Sequence, residues 1–179
     1  MISDQWKKTL LVATSLSVLG CEASGLSSDW HRVEPPIAAP DFTLSTLEGQ
    51  TVQLSNYRGQ VVVMEFWATW CGPCRSSLPS LEVMSTRYRD RGVTVLLINQ
   101  QESAKDIRRW TKQRYTASIL LDERGDAAMK YEVQGIPQLF VINQQGQIVY
   151  HHGGYGGGLE RNLALILEEL LPTHATTHV

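Results

Sequence analysis

The hydrophobic positions of the chain fall into short, bounded groups. Val61 to Trp67 is a continuous apolar run broken by one acid, Glu65. Such a run suits a strand buried on both faces of a parallel sheet. Val93 to Ile98 predicts a second buried strand, and Ile119 to Asp122 a third. Leu139 to Ile142 and Gln147 to Tyr150 flank Asn143-Gln144-Gln145-Gly146, which predicts an antiparallel hairpin. Nearer the N-terminus, Asp41 to Leu44 and Val52 to Leu54 alternate apolar and polar residues around the turn signal Glu48-Gly49. Between the strands the apolar period changes to that of a helix. Leu78, Leu81, Met84 and Tyr88 predict a helix over Ser76–Arg91, which Pro79 is expected to kink. Ile107 and Trp110 predict a helix over Ser103–Tyr115, with Ser103 as its cap and Asp106 echoing a capping box. A short helix is expected over Asp126–Tyr131. Leu159, Leu163, Ile166, Leu167 and Leu170 form the apolar stripe of a C-terminal one.

The N-terminal segment has a different pattern. Lys7 and Lys8 precede an apolar run from Thr9 to Leu19. That is short for a bilayer span, which takes about 20 residues, and fits the core of a signal peptide over residues 1–20. Val18-Leu19-Gly20-Cys21 resembles a bacterial lipobox, which implies Cys21 as a lipidated mature N-terminus. Residues 21–36 read as a linker, with Pro35-Pro36 favouring extended backbone and His31 solvated. Residues 37–172 form the folded domain, and 173–179 a disordered Thr-rich tail.

Composition narrows the function classes. A chain of 179 residues with 42% hydrophobic and 19% charged residues is a folded domain with appendages, long enough for a real core. A net charge of −2 supplies no basic field for nucleic acid. Three cysteines are too few for a disulfide-stapled scaffold.

Two of those cysteines lie in Trp70-Cys71-Gly72-Pro73-Cys74, directly after the buried strand and before a helix. Spaced by two residues, they can close a small disulfide ring, and Gly72-Pro73 reads as a bend entering the helix. An ordinary cysteine, with a pKa of about 8.5, is only a few per cent thiolate at neutral pH. At a helix N-terminus the pKa can fall to about 7, which makes the first sulfur a nucleophile. The alternatives are a structural disulfide or half of a zinc site, and zinc lacks ligands here. Cys21 is the one other cysteine, and no histidine lies between His31 and His151. His151 and His152 are adjacent on a strand and point to opposite faces, which disfavours a shared metal site. The Gly153–Gly158 run lacks the Lys-Ser/Thr of a phosphate loop and reads as a flexible connection.

Phe66 to Arg75 resembles the active-site segment of thioredoxin-fold oxidoreductases, and more narrowly the extracytoplasmic TlpA/ResA type. The resemblance runs from about Ile37 to Leu171. It implies an α/β thioredoxin-like fold: a central mixed sheet flanked by helices, with an N-terminal β-hairpin and a mid-chain helix–strand insertion. It implies no cofactor beyond the redox-active Cys71–Cys74 disulfide. Cys71 attacks and Cys74 resolves. Glu65 stands where thioredoxins carry a buried acid; burial raises its pKa, and it takes the proton of Cys74. Gly135-Ile136-Pro137 resembles the loop whose proline follows a cis bond, with the backbone at Ile136 and Pro137 pairing an extended substrate. Trp70 covers the sulfurs, and Trp70, Gly72 and Pro73 share that docking surface. Relatives often carry an acid where Ser77 stands, which predicts a less negative mouth, and Thr where Gln138 stands.

The function so implied is dithiol–disulfide exchange outside the cytoplasm, on a lipid-anchored protein of the periplasm or of the outer face of the bacterial cell membrane. Protein disulfides are the substrates, as in cytochrome c maturation, and a membrane thiol reductant of the CcdA or DsbD type recharges the dithiol. Two alternatives are a copper-handling module using Cys71, Cys74 and His151, and a peroxidase of the peroxiredoxin kind. The Cys-Gly-Pro-Cys spacing argues against the latter.

Overall fold

The computed structural model describes residues 26–112 and 114–172. The expected signal segment, Cys21 and the tail at 173–179 lie outside the described residues. The strands are β1 (Trp30–Ala38), β2 (Thr43–Thr46), β3 (Thr51–Gln53), β4 (Val61–Trp67), β5 (Val93–Gln100), β6 (Ser118–Asp122), β7 (Gln138–Ile142) and β8 (Gln147–Gly153). The α-helices among the described residues are α1 (Gly72–Tyr88), α2 (Ala104–Thr111), α3 (Asp126–Lys130) and α4 (Leu159–Leu170).

One eight-stranded sheet takes the order β1-β8-β7-β4-β5-β6-β2-β3. Its centre is β4, in which every residue is buried. β4 runs parallel to β5, with Glu65 beside Leu97, and antiparallel to β7, with Glu65 beside Leu139. The sheet is therefore mixed. Because side chains alternate along a strand, β4 feeds two cores. Val61, Val63 and Trp67 pack with Cys74, Leu78 and Leu81 of α1 and with Leu163 and Ile166 of α4. Val62, Met64 and Phe66 pack on the other side with Phe140 and with Ala127 of α3. Helices cover both faces, as the apolar run of β4 requires. β2 and β3 form the N-terminal hairpin and add to the sheet through β6. The mid-chain insertion is α2 followed by β6, and Ser103 caps α2 by accepting from the Asp106 N–H.

Two boundaries differ from expectation. α1 starts at Gly72, so the cysteine motif belongs to the helix itself, and a 3-10 turn at Arg89–Arg91 follows it. Pro73 is tolerated in the first turn because the N–H it lacks would have no helical partner there. Pro79 lies inside α1, and the helix continues past it to Tyr88. The second difference is β1, which occupies much of the stretch expected as a linker and pairs antiparallel with β8. It is an edge strand, and Pro35 and Pro36 fall where its register slips, between Arg32 and Ile37. Prolines are tolerated at such a place because no ladder hydrogen bond is lost. His31, exposed as expected, lies on β1 with its ring 6.3 Å from that of His151.

Ion pairs brace α4 against the sheet and α1. Arg32 donates to both oxygens of Glu169 at 2.7 Å, and the Tyr150 hydroxyl donates to the same carboxylate. Arg91 and the Tyr88 hydroxyl both donate to Glu168. No helix among the described residues is long and apolar enough to cross a membrane.

Candidate active site

Where β4 ends, the chain turns through Ala68–Trp70 and enters α1. The Cys71 N–H closes that turn on Ala68 O at 3.2 Å. Cys71 itself has extended backbone angles and is the N-cap of α1. Its carbonyl accepts from the Arg75 N–H, and its Sγ accepts from the Cys74 N–H at 3.2 Å. Helix N-termini leave N–H groups without intrahelical partners, and here a sulfur takes the role usually given to Ser or Asp. The first turn of α1 carries no acidic side chain, so no residue of that turn opposes the positive end of the helix dipole.

Cys71 and Cys74 are joined in a disulfide with Cα atoms 5.3 Å apart. Both cysteines are buried, Cys74 completely and Cys71 with 4% of its surface left exposed. A side chain placed at Gly72 would meet no atom within 4 Å, so the approach over the first helical turn is open. Trp70 is 68% exposed beside it and presents an apolar surface to solvent.

The Ile136–Pro137 bond is cis, and the Ile136 carbonyl oxygen lies 3.6 Å from Cys71 Sγ. Pro137 O in turn accepts from the Gly154 N–H, which ties the glycine-rich connection to this loop. In a reduced protein the Ile136 carbonyl would favour the Cys71 thiol, and the Cys74 N–H would favour the thiolate. The N–H contact is the shorter of the two.

Glu65 points from β4 toward α1 and is buried at 1% exposure. Desolvation pushes its pKa up to about 8, against the opposing pull of one hydrogen bond from Ser77. Ser77 is itself buried, with its hydroxyl 2.7 Å from Glu65 Oε1 and 3.0 Å from Cys74 O. This overturns the expectation that Ser77 shapes the charge of the mouth. It lies on the inner stripe of α1 with Cys74, Leu78 and Leu81.

The sequence reading missed Glu102. This residue lies between β5 and α2, yet its carboxylate accepts from the Thr69 N–H, the Thr69 hydroxyl and Asn99 Nδ2. Arg75 Nε donates to Thr69 O from the other side. The turn before Cys71 is thus held by three polar contacts at Thr69, and Asn99 braces Glu102. A lone Glu before a capped helix carries no signal of this, because the partners are brought together by the parallel pairing of β4 with β5.

His151 does not join the sulfurs. It shares the sheet face of Phe140, whose ring is 5.0 Å away, whereas the disulfide lies on the opposite face. Gln138 Nε2 approaches His151 Nε2 at 2.8 Å, so Gln138 also faces away from the cysteines. Burial is the main reason the His151 pKa falls to about 4. Among the described residues no group of three or more His, Cys, Asp or Glu is arranged to hold a metal ion.

A sheet-anchored dithiol/disulfide at a helix N-terminus, faced by a cis-proline loop, defines a thioredoxin-like thiol–disulfide oxidoreductase. The chain belongs to the AhpC/TSA family, whose model matches residues 37–151. It is 30% identical to the thiol-disulfide oxidoreductase ResA of Halalkalibacterium halodurans over 170 residues, covering 93% of this chain and 95% of that one. To the ResA of Geobacillus thermodenitrificans it is 33% identical over 143 residues, covering 79% and 82%. Among solved structures, the exposed lipoprotein thioredoxin of Streptococcus pneumoniae is similar, with 30% identity and a TM-score of 0.65, covering 73% of this chain and 100% of that one.

Proposed function

We propose that the protein reduces disulfides of other proteins outside the cytoplasm, with Cys71 as nucleophile and Cys74 as resolving cysteine. The observation that carries this reading is the Cys74 N–H on Cys71 Sγ at the start of α1, whose first turn has no acidic side chain. The Cys71 thiolate attacks one sulfur of the client disulfide, forms a mixed disulfide and expels a client thiolate. Cys74 gives its proton to Glu65 and attacks Cys71 Sγ. The Cys71–Cys74 bond forms, the bond to the client breaks and the second client thiolate leaves. The client gains two electrons, the dithiol loses two, and the proton held on Glu65 passes to solvent. With its pKa at about 8, Glu65 is neither permanently charged nor permanently neutral near neutral pH.

The proposed docking surface is Trp70, Gly72, Pro73, Ile136 and Pro137, beside Cys71; of these Trp70 is exposed and Pro137 is buried. An extended client segment fits here, pairing its backbone beside Ile136. Anchoring through a lipid on Cys21 fits the lipobox-like segment and the similarity to an exposed lipoprotein. A membrane reductant of the CcdA or DsbD type would return electrons, and apocytochrome c is a suitable client. Trapping tests the proposal. Cys74→Ala should stall after the first attack and retain clients as mixed disulfides that dithiothreitol releases. Cys71→Ala should trap none, and equal capture by both variants would sink the assignment.

A second reading, peroxide reduction, is favoured by the AhpC/TSA match. It requires that the reduced protein consume hydrogen peroxide as fast as it consumes disulfide, which purified protein can answer.

A further inference from the structure

The buried stripe of α1 contains a hydroxyl that the disulfide chemistry does not touch. Ser77 Oγ lies between an oxygen of Glu65 at 2.7 Å and the carbonyl of Cys74 at 3.0 Å. It has one proton to donate and two acceptors within reach. From these contacts we infer that Ser77 is a positioning residue that keeps Glu65 hydrogen-bonded in both of its protonation states, so that the carboxyl can take and return the proton of Cys74. The inference rests on the proton role proposed above for Glu65.

The two states use the same atoms. When Glu65 is a carboxylate, the Ser77 hydroxyl donates to it. When Glu65 is protonated, its own O–H donates to Ser77 Oγ, and the serine proton turns to Cys74 O. Serine bonding to the carbonyl three residues back is an ordinary helical arrangement, so the turn distorts nothing. No bond is made or broken by Ser77, and it needs no proton of its own to leave. Without it, ionised Glu65 would lose the hydrogen bond that opposes desolvation in a fully buried position.

Among the described residues, no charged group contributes to the shift of Glu65. Its strand neighbours are Leu97 on β5 and Leu139 on β7, and α1 brings Cys74 and Ser77. Desolvation and the Ser77 bond are the influences on its ionisation. Substituting Ser77 therefore moves the Glu65 pKa in a known direction, upward.

The test uses the reduced full chain and Ellman's reagent. The first coloured thiolate reports attack by Cys71, and the second reports attack by Cys74. In the wild type the second step should rise with pH through an inflection near 8. Ser77→Ala should move that inflection up by about one pH unit and slow the second step about tenfold at neutral pH. The first step should be nearly unchanged. Ser77→Thr should restore the inflection, whereas Ser77→Val, of similar size, should behave like alanine. In a Glu65→Gln background the inflection near 8 should be lost, leaving only the rise set by the Cys74 thiol itself, and Ser77→Ala should no longer shift the profile. An inflection near 8 that survives Glu65→Gln unchanged overturns the role of Glu65 itself. An inflection that Glu65→Gln removes but Ser77→Ala leaves in place overturns the role of Ser77 alone. Equal slowing by threonine and valine would also count against Ser77, since it marks a packing effect.

Discussion

Glu65 joins stability to pH. Its ordinary pKa of 4.5 applies to the unfolded chain, and burial raises it to about 8 in the folded one. Between those values the native state holds a proton that the unfolded state has lost, so stability falls as pH rises through this window. The contribution is complete below about pH 4.5 and gone above about pH 8. Denaturant unfolding of the oxidised protein at several pH values should show that decline, and Glu65→Gln should flatten it. An unchanged slope in the variant would contradict the burial argument. Glu102 gives a second residue-scale expectation. Glu102→Ala leaves the Thr69 N–H and Asn99 Nδ2 unpaired and should destabilise by about 1–3 kcal/mol, measured the same way. Glu65 was legible because a charged residue inside an apolar strand is anomalous on its own. Glu102 was not, because Thr69 lies 33 residues away in sequence and the two meet only through the fold. Ser77 left a signal that was not used: a polar residue three after Cys74, in phase with Leu78 and Leu81.

At the scale of elements, the question is what holds α4 to the sheet. Leu163 and Ile166 are fully buried, whereas the Glu168 side chain keeps 51% of its exposure. Arg91 and Tyr88 hold Glu168 well below the usual carboxylate range, but solvent screens most of that interaction. Leu163→Ala should therefore cost about 2–5 kcal/mol of unfolding free energy, and Glu168→Gln less than about 1 kcal/mol. A reversed order would mean that the ion pairs dominate the docking. Most elements could be read from hydrophobic period, since β4, β5, β7 and α4 each bury a face that its own pattern declares. The start of α1 could not, because the cysteines and Gly72-Pro73 carry no helical period. β1 was hidden by its prolines, which mark linkers and edge strands alike.

The whole molecule is a sheet with different work on its two faces. Cys71, Cys74, Glu65 and Ser77 share the face covered by α1 and α4. His31, Gln138 and His151 lie on the other side or at the β1 edge. His151→Ala should therefore change the rate of disulfide exchange by less than about twofold, as expected of separated sites. A larger loss would return His151 to the site. The overall architecture was legible through the resemblance of Phe66–Arg75 to the active-site segment of thioredoxin-fold oxidoreductases, and strand alternation set His151 and His152 on opposite faces. Which histidine lay on which face needed the register.

The exchange chemistry depends on the acidity of the sulfur that caps α1. Ultraviolet absorbance of the thiolate, followed in the reduced protein against pH with Cys71→Ala as reference, measures it directly. The account predicts that Cys71 ionises with a pKa near about 7, below the roughly 8.5 of an ordinary cysteine. Ionisation at or above the ordinary value would contradict it, because the Cys74 N–H and the helix N-terminus would then be shown to leave the sulfur unactivated.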